Sequence, residues 1–243
     1  MSLTLDSLSR RLRHVQAYCA ILTISVIGVV LTAFRSHSTQ RVRFVEIDVE
    51  RVNIVERDGK LRMIIANKER LPGPVERGVS FGYGSGRRMG LIFYNDEGTE
   101  MGGLAFGSAR SGEQFESGVT LAFDQYDQDQ AVVLQQYENN DRRRSGLAIA
   151  EYPTSLTNRQ RTEQWEQLRR MPPGRAREQA MDSLAAFDGR TRAYFGRAFD
   201  GTALVTLADA AGRTRLRLQV DTAGVARIEF LDDSGRVVRA IPE

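Results

Sequence analysis

Side chains able to act as nucleophiles, or as bases near neutral pH, are scarce in this 243-residue chain, which has one Cys and two His. All three (His14, Cys19 and His37) fall in or beside an N-terminal apolar stretch. The remaining sequence therefore offers no thiolate nucleophile, no Cys/His zinc set and no His to complete a Ser-His-Asp triad. Carboxylates are plentiful, 31 in all, and two of them could serve as general acid and base. Their spacing selects no pair. The densest cluster, Asp124-Gln-Tyr-Asp127-Gln-Asp129, has the oxygen ligands a hard cation wants but lacks EF-hand spacing, and reads as a solvated turn. Gly82-Tyr-Gly-Ser-Gly86, followed by Arg87 and Arg88, has the composition of a phosphate loop. Such a loop must open a helix, whereas residues 89–94 read as a strand. Arg142-Arg-Arg144, after Glu138-Asn-Asn-Asp141, reads as a charged loop tip that a partner or a lipid headgroup could meet. The expectation is a non-enzymatic protein with no catalytic residues, no cofactor and no metal site.

The elements that would position any site begin with an anchor. Residues 15–34, VQAYCAILTISVIGVVLTAF, contain no charge. Twenty residues at 1.5 Å each make about 30 Å of helix, the thickness of a bilayer's hydrocarbon core. Thr23, Ser25 and Thr32 are tolerable there because small hydroxyls can bond to the helix's own carbonyls. Arg10, Arg11 and Arg13 precede the run and Arg35 follows it. A secretory signal would have a shorter apolar core ending at a small-x-small site, and Leu31-Thr32-Ala33 is a poor one. The reading is a retained transmembrane helix over 15–34 after a cytoplasmic or interfacial tail, 1–14. A short tail without an upstream signal favours a cytoplasmic amino end, with the domain on the periplasmic side. Ala17, Ala20, Ser25 and Gly28 give the span small surfaces for packing against other helices.

A juxtamembrane linker over 35–41 would lead into a domain over 42–243. Six or seven residues reach only about 20–25 Å, so the domain is expected close to the bilayer. Charge excludes one class of partner. Residues 1–43 carry six Arg against one acid, Asp6, while the remainder has 28 basic and 30 acidic residues. That leaves no broad basic surface for nucleic acid.

The domain reads as mainly β, built from antiparallel hairpins. One unit recurs four times: an apolar or alternating run, an acid or Asn, two residues, then Gly. The copies are Val52-Asn-Ile-Val-Glu56-Arg-Asp-Gly59, Leu91-Ile-Phe-Tyr-Asn95-Asp-Glu-Gly98, Val205-Thr-Leu-Ala-Asp209-Ala-Ala-Gly212 and Ile228-Glu-Phe-Leu-Asp232-Asp-Ser-Gly235. A short polar side chain bonds its own backbone two residues on, and Gly accepts the positive φ that reverses the strand. Residues 156–188 break this pattern. Pro172-Pro-Gly174 divides two helix-like stretches, which predicts a small αα-hairpin insertion. Trp165 sits on its first helix, as a packing anchor or an interface hot spot.

Several stretches also resemble an uncharacterised group of bacterial proteins that carry an N-terminal hydrophobic segment before a β-rich region. They are Phe44-Val-Glu-Ile-Asp-Val-Glu-Arg-Val-Asn-Ile-Val-Glu56, Phe93-Tyr-Asn-Asp-Glu-Gly98 and Phe123-Asp-Gln-Tyr-Asp-Gln-Asp129. The resemblance spans about residues 43–150. It implies a bacterial source, and no activity or site. The functional expectation is a single-span accessory subunit that binds and stabilises a larger integral membrane complex, of respiratory or photosynthetic type, and the lipid bilayer. Trp165, Arg142, Arg143, Arg144, the loop around Phe115, and the small residues Ala17, Ala20 and Gly28 are its expected contacts. A surface module binding glycan or cell wall, and a carboxylate-dependent hydrolase, are the alternatives.

Overall fold

The computed structural model describes residues 5–35, 41–82 and 88–242. They fall into two compact units, Met1–Asp48 and Val49–Glu243. The first holds α1 (Leu5–Arg35). Within it Ser9–Val30, 22 residues, is long and apolar enough to cross a membrane, and none of it is buried in the protein. Thr23 and Ser25 donate to the carbonyls of Cys19 and Ile21, each at 2.9 Å. That is how a hydroxyl is accommodated on an apolar helix.

Residues 41–50 form neither helix nor strand. The first strand starts at Arg51 rather than near Arg41, because Arg51 is the first residue with a ladder partner, Ala66.

The second unit is mainly antiparallel β, as its alternation predicts. Twelve strands form one sheet: β1 (Arg51–Val55), β2 (Leu61–Ala66), β5 (Met89–Tyr94), β6 (Glu100–Ser111), β7 (Gln114–Asp124), β8 (Gln130–Asn139), β9 (Arg142–Glu151), β10 (Arg190–Arg197), β11 (Ala203–Ala208), β12 (Thr214–Val220), β13 (Ala226–Leu231) and β14 (Val237–Ile241). Spatial order follows chain order throughout. Two insertions interrupt it. A two-stranded ribbon, β3 (Val75–Glu76) with β4 (Val79–Ser80), lies between β2 and β5. The αα-hairpin, α2 (Asn158–Arg170) and α3 (Arg175–Ala185), lies between β9 and β10.

The recurring four-residue unit is the hairpin turn. At Asp209, Asp232 and Asn95 the first residue's side chain accepts from the backbone N–H two and four residues on, all at 2.9–3.0 Å. The closing Gly donates its N–H back to the first residue's carbonyl, with φ of +79° at Gly235. The same backbone pattern closes 198–201 and 221–224, two copies that the expected motif omits. In the first, Ala198 stands where the motif asks for an acid or Asn, and Asp200 supplies the oxygen instead.

These turns hold register from edge to edge. Val52, Ile65, Leu91, Leu104, Leu121, Leu134, Leu147, Phe195, Val205, Leu218, Ile228 and Ile241 are successive cross-strand partners, one per strand. Two residues along each strand a second row runs parallel: Ile54, Met63, Phe93, Gly102, Phe123, Val132, Ile149, Ala193, Leu207, Leu216, Phe230 and Arg239. Side chains at a two-residue period share a face. Both rows therefore lie on one surface, here called the outer face, which carries a single charge among these positions.

The buried core lies on the opposite, inner face. Ile64, 1% exposed, packs with Ala66, Ile92 and Tyr94 under Leu71 from the segment that follows β2. Further along, the inner face carries small residues. Gly146 and Gly196 are cross-strand partners, and a Cβ on either would stand within 2.4 Å of a backbone oxygen on the facing strand. Only Gly permits so close an approach between strands.

Candidate functional site

Two surfaces carry the chemistry of this domain. The first is a trench on the inner face. One cavity of about 250 Å³ is bordered by Glu100, Asp124, Gln130 and Ile92. A second of about 640 Å³ is bordered by Glu116, Gln135, Tyr137, Arg144 and Phe199. They share Arg88, Ala105 and Thr120, so they are adjoining lengths of one depression. Cross-strand partners Gly107 and Gly118 supply no bulk to its floor.

One end is acidic. Glu100 pairs with Tyr94 across β5 and β6, and Asp124 with Gln130 across β7 and β8, each just beyond a register shift. The shift at β6 turns Glu100 inward, while Asp124 follows the outer-face Phe123 and is inward by alternation alone, the shift there turning its partner Gln130. Burial, reinforced by the like charges of Asp124 and Asp129, pushes Glu100 up to about 8. Burial and Asp129 push Asp124 up to about 7. The Asp124 Oδ1 atom is shielded from solvent and has no hydrogen-bond partner among the described residues. The ion pairs of the described residues leave out Glu100 and Asp124. Two carboxylates so placed favour the protonated form.

The other end carries arginines and aromatic rings beside Glu116. The Arg142 guanidinium lies 4.6 Å from the centre of the Phe199 ring and Arg144 lies 4.6 Å from that of Tyr194. Phe199 meets Tyr137 edge-on at 6.1 Å, and the Tyr194 hydroxyl donates to the Ser145 and Arg197 carbonyls. These aromatic contacts fix the cations in place. The expected loop tip is narrower than the Arg triplet. Asn140 and Asp141 form the turn, while Arg142, Arg143 and Arg144 open β9. Strand alternation then places Arg142 and Arg144 on the inner face and Arg143 on the outer.

The acidic cluster at 124–129 is a hairpin turn. The Gln125 N–H donates to the Asp129 carbonyl and the Gln128 N–H to that of Gln125. Its three carboxylates diverge. Asp127 pairs with Arg77 at 2.8 Å, Asp129 accepts from the Gln130 N–H, and Asp124 enters the trench. Among the described residues no three His, Cys, Asp or Glu converge as metal ligands. The glycine-rich segment is followed by β5, not a helix; residues 83–87 of it, and His37, lie outside the described residues.

The αα-hairpin is fastened beside the acidic end by Arg161, which is 5% exposed. Arg161 donates to Gln128 Oε1 at 2.8 Å, Asn158 Oδ1 at 3.0 Å and the Phe187 carbonyl at 3.4 Å, and lies 4.9 Å from the Tyr152 ring centre. Thr157 caps α2 with a reciprocal bond to Gln160. Trp165 donates its indole N–H to Asp188 at 3.2 Å, so its polar edge is used within the insertion. Sequence spacing points to neither Arg161 nor Glu100. The one signal for Glu100 is a lone acid just past the Asn95–Gly98 turn, in a strand otherwise poor in charge.

The second surface is the outer face. Phe195 is 65% exposed and Leu134 54%, with Phe123, Ile65, Leu207 and Ile149 all exposed. Twelve strands about 4.8 Å apart span about 53 Å, and two rows cover about 800 Å². Monomeric surfaces seldom carry apolar patches beyond about 300–600 Å². Phe115, partnered with Arg110, lies on the same face at its margin. Ala17, Ala20 and Gly28 are exposed on α1, and a Cβ on Gly28 would meet nothing within 4 Å. Compared with known families, characterised protein sequences and solved structures, the chain finds no match in any of the three.

Proposed function

We propose that this chain is a non-catalytic, single-span accessory subunit of a larger integral membrane assembly in the bacterial inner membrane. The observation that carries the reading is the open outer face, where apolar side chains line up across all twelve strands. A lone soluble domain would be expected to cover such a surface. Its extent, about 800 Å², equals what one partner contributes to a standard specific interface. Near-absence of charge along the two apolar rows suits an apolar protein flank rather than nucleic acid or a hydrated polymer. α1, long and apolar enough to span, would hold the domain at the membrane, with Ala17, Ala20 and Gly28 packing on neighbouring helices. The same reading puts the domain on the periplasmic side of that membrane.

The test is gentle detergent extraction of native membranes, density-gradient separation and mass spectrometry of the bands. Co-migration with a large complex at fixed ratio is the expected result. Migration alone, or only as its own small oligomer, rejects the subunit reading.

A further inference from the structure

One segment of this chain has the pattern of a strand and no strand to pair with. Residues 44–49, Phe-Val-Glu-Ile-Asp-Val, place Val45, Ile47 and Val49 between acids. These three side chains are at least half exposed, and none of the six residues has a ladder partner among the described residues. At the far side of the sheet, β14 pairs on one side only, with β13. Its free edge offers backbone N–H and C=O groups to an incoming strand, and Val237, Val238 and Ile241 are exposed there. Arg239, the single charge of the two outer rows, lies 6.0 Å from the centre of the Phe230 ring. Like Glu46 and Asp48, it takes no part in the ion pairs of the described residues. The two stretches match in one register. Laid antiparallel with Glu46 opposite Arg239, the segment sets Phe44 opposite Ile241, Val45 opposite Ala240 and Ile47 opposite Val238. Phe44 then prolongs the first outer row beyond Ile241, and Glu46 neutralises Arg239. Asp48, opposite Val237, stands on the diagonal to Arg239, within reach of a long side chain. Of the nearby basic residues, Arg43 falls opposite Pro242 and Arg41 falls past it. Turned over, the segment would set its acids against Val238 and Ala240 and leave Arg239 unmatched.

We propose that residues 44–48 of one copy of this chain add as a further strand to the free edge of β14 in a second copy. A chain's own segment does not reach that edge. Asp48 is tied to Arg51 by about 10 Å of chain at most, whereas β14 closes the sheet at the opposite end from β1, about 53 Å away along it. Each copy carries both the segment and the edge, so the contact repeats head to tail. It uses the edge of the sheet rather than its outer face, and does not rest on that face's docking to a membrane assembly.

The test uses the full chain in detergent micelles, with Cys19→Ser as background so that introduced thiols stand alone. Copies carrying I47C are mixed with copies carrying V238C and oxidised. They should form a disulfide-linked dimer at least about tenfold more than with copies carrying F195C, whose thiol lies mid-sheet, because the bond requires close approach. Sedimentation then measures self-association without cross-linking. I47P, which bars backbone pairing, should abolish it. E46R and R239E should each weaken it about fivefold, and E46R/R239E in one chain should restore it. Residues 44–49 lie outside the ladder, so I47P and E46R should leave circular dichroism and Tm unchanged, and R239E is checked the same way. A monomer throughout, equal cross-linking to F195C, an oligomer that survives I47P, or no restoration in E46R/R239E each overturns the proposal. Co-migration with a membrane assembly is read separately on native extracts, so either reading can fail alone.

Discussion

At the scale of single residues, ionisation divides the domain into two kinds of carboxylate. Glu100 and Asp124 are raised by burial and like charge. Folding therefore favours their protonated forms, and the stability they contribute is present below about pH 4 and lost as pH rises toward about 8. Asp232 behaves oppositely. Hydrogen bonds from Ser234 and Arg236 hold it down to about 2, so its contribution is present above its ordinary value near 4 and lost as pH falls toward 2. Thermal unfolding followed by circular dichroism should give a lower Tm at pH 9 than at pH 5. Glu100→Gln should flatten that slope; an unchanged slope would show that Glu100 is not the group responsible. Gly235 makes a second, purely conformational prediction. With φ at +79° and nothing within 4 Å of where a Cβ would stand, Gly235→Ala should cost about 1 kcal/mol through backbone strain alone. Urea unfolding measures it.

At the scale of elements, the αα-hairpin depends on one buried cation. Arg161→Ala would leave the amide of Gln128 and the Phe187 carbonyl without their donor, and a loss of roughly 3 kcal/mol is expected for breaking a buried charged network. The insertion should then open before the sheet does. Limited proteolysis after Arg169, Arg170 or Arg175 reads this directly, and cleavage no faster than in the parent chain would contradict it. Trp165→Ala should weaken the same insertion, since its N–H bonds Asp188. Hairpins and insertion were both legible from local patterns. Asx geometry at Asp209 and Asp232 follows from short-range hydrogen bonding, and Pro172-Pro-Gly174 stops one helix before another. The start of β1 was not legible, because Val45, Ile47 and Val49 alternate like a strand yet pair with no strand among the described residues.

At the scale of the whole molecule, the domain presents two faces with different chemistry. Placing two like charges on the outer face by Leu134→Glu with Phe195→Glu should release the chain from its membrane assembly. The Tm should change little, since both side chains are already more than half exposed. Retained co-migration would exclude the outer face as the docking surface. Alternation within each strand, the polar-turn-Gly unit, the charge-free run of 15–34 and the breaker at 172–174 were determined by the sequence alone. All of these are short-range matters of side-chain polarity and backbone conformation. Tertiary structure decided the rest. Twelve strands had to fall into register before separate apolar residues became two continuous rows. A register shift had to rotate Glu100 inward, and β6 had to pair with β7, before carboxylates 24 residues apart could share a trench. Such placements depend on pairing between distant segments, and no local pattern encodes which residue of one strand will stand beside which residue of the next.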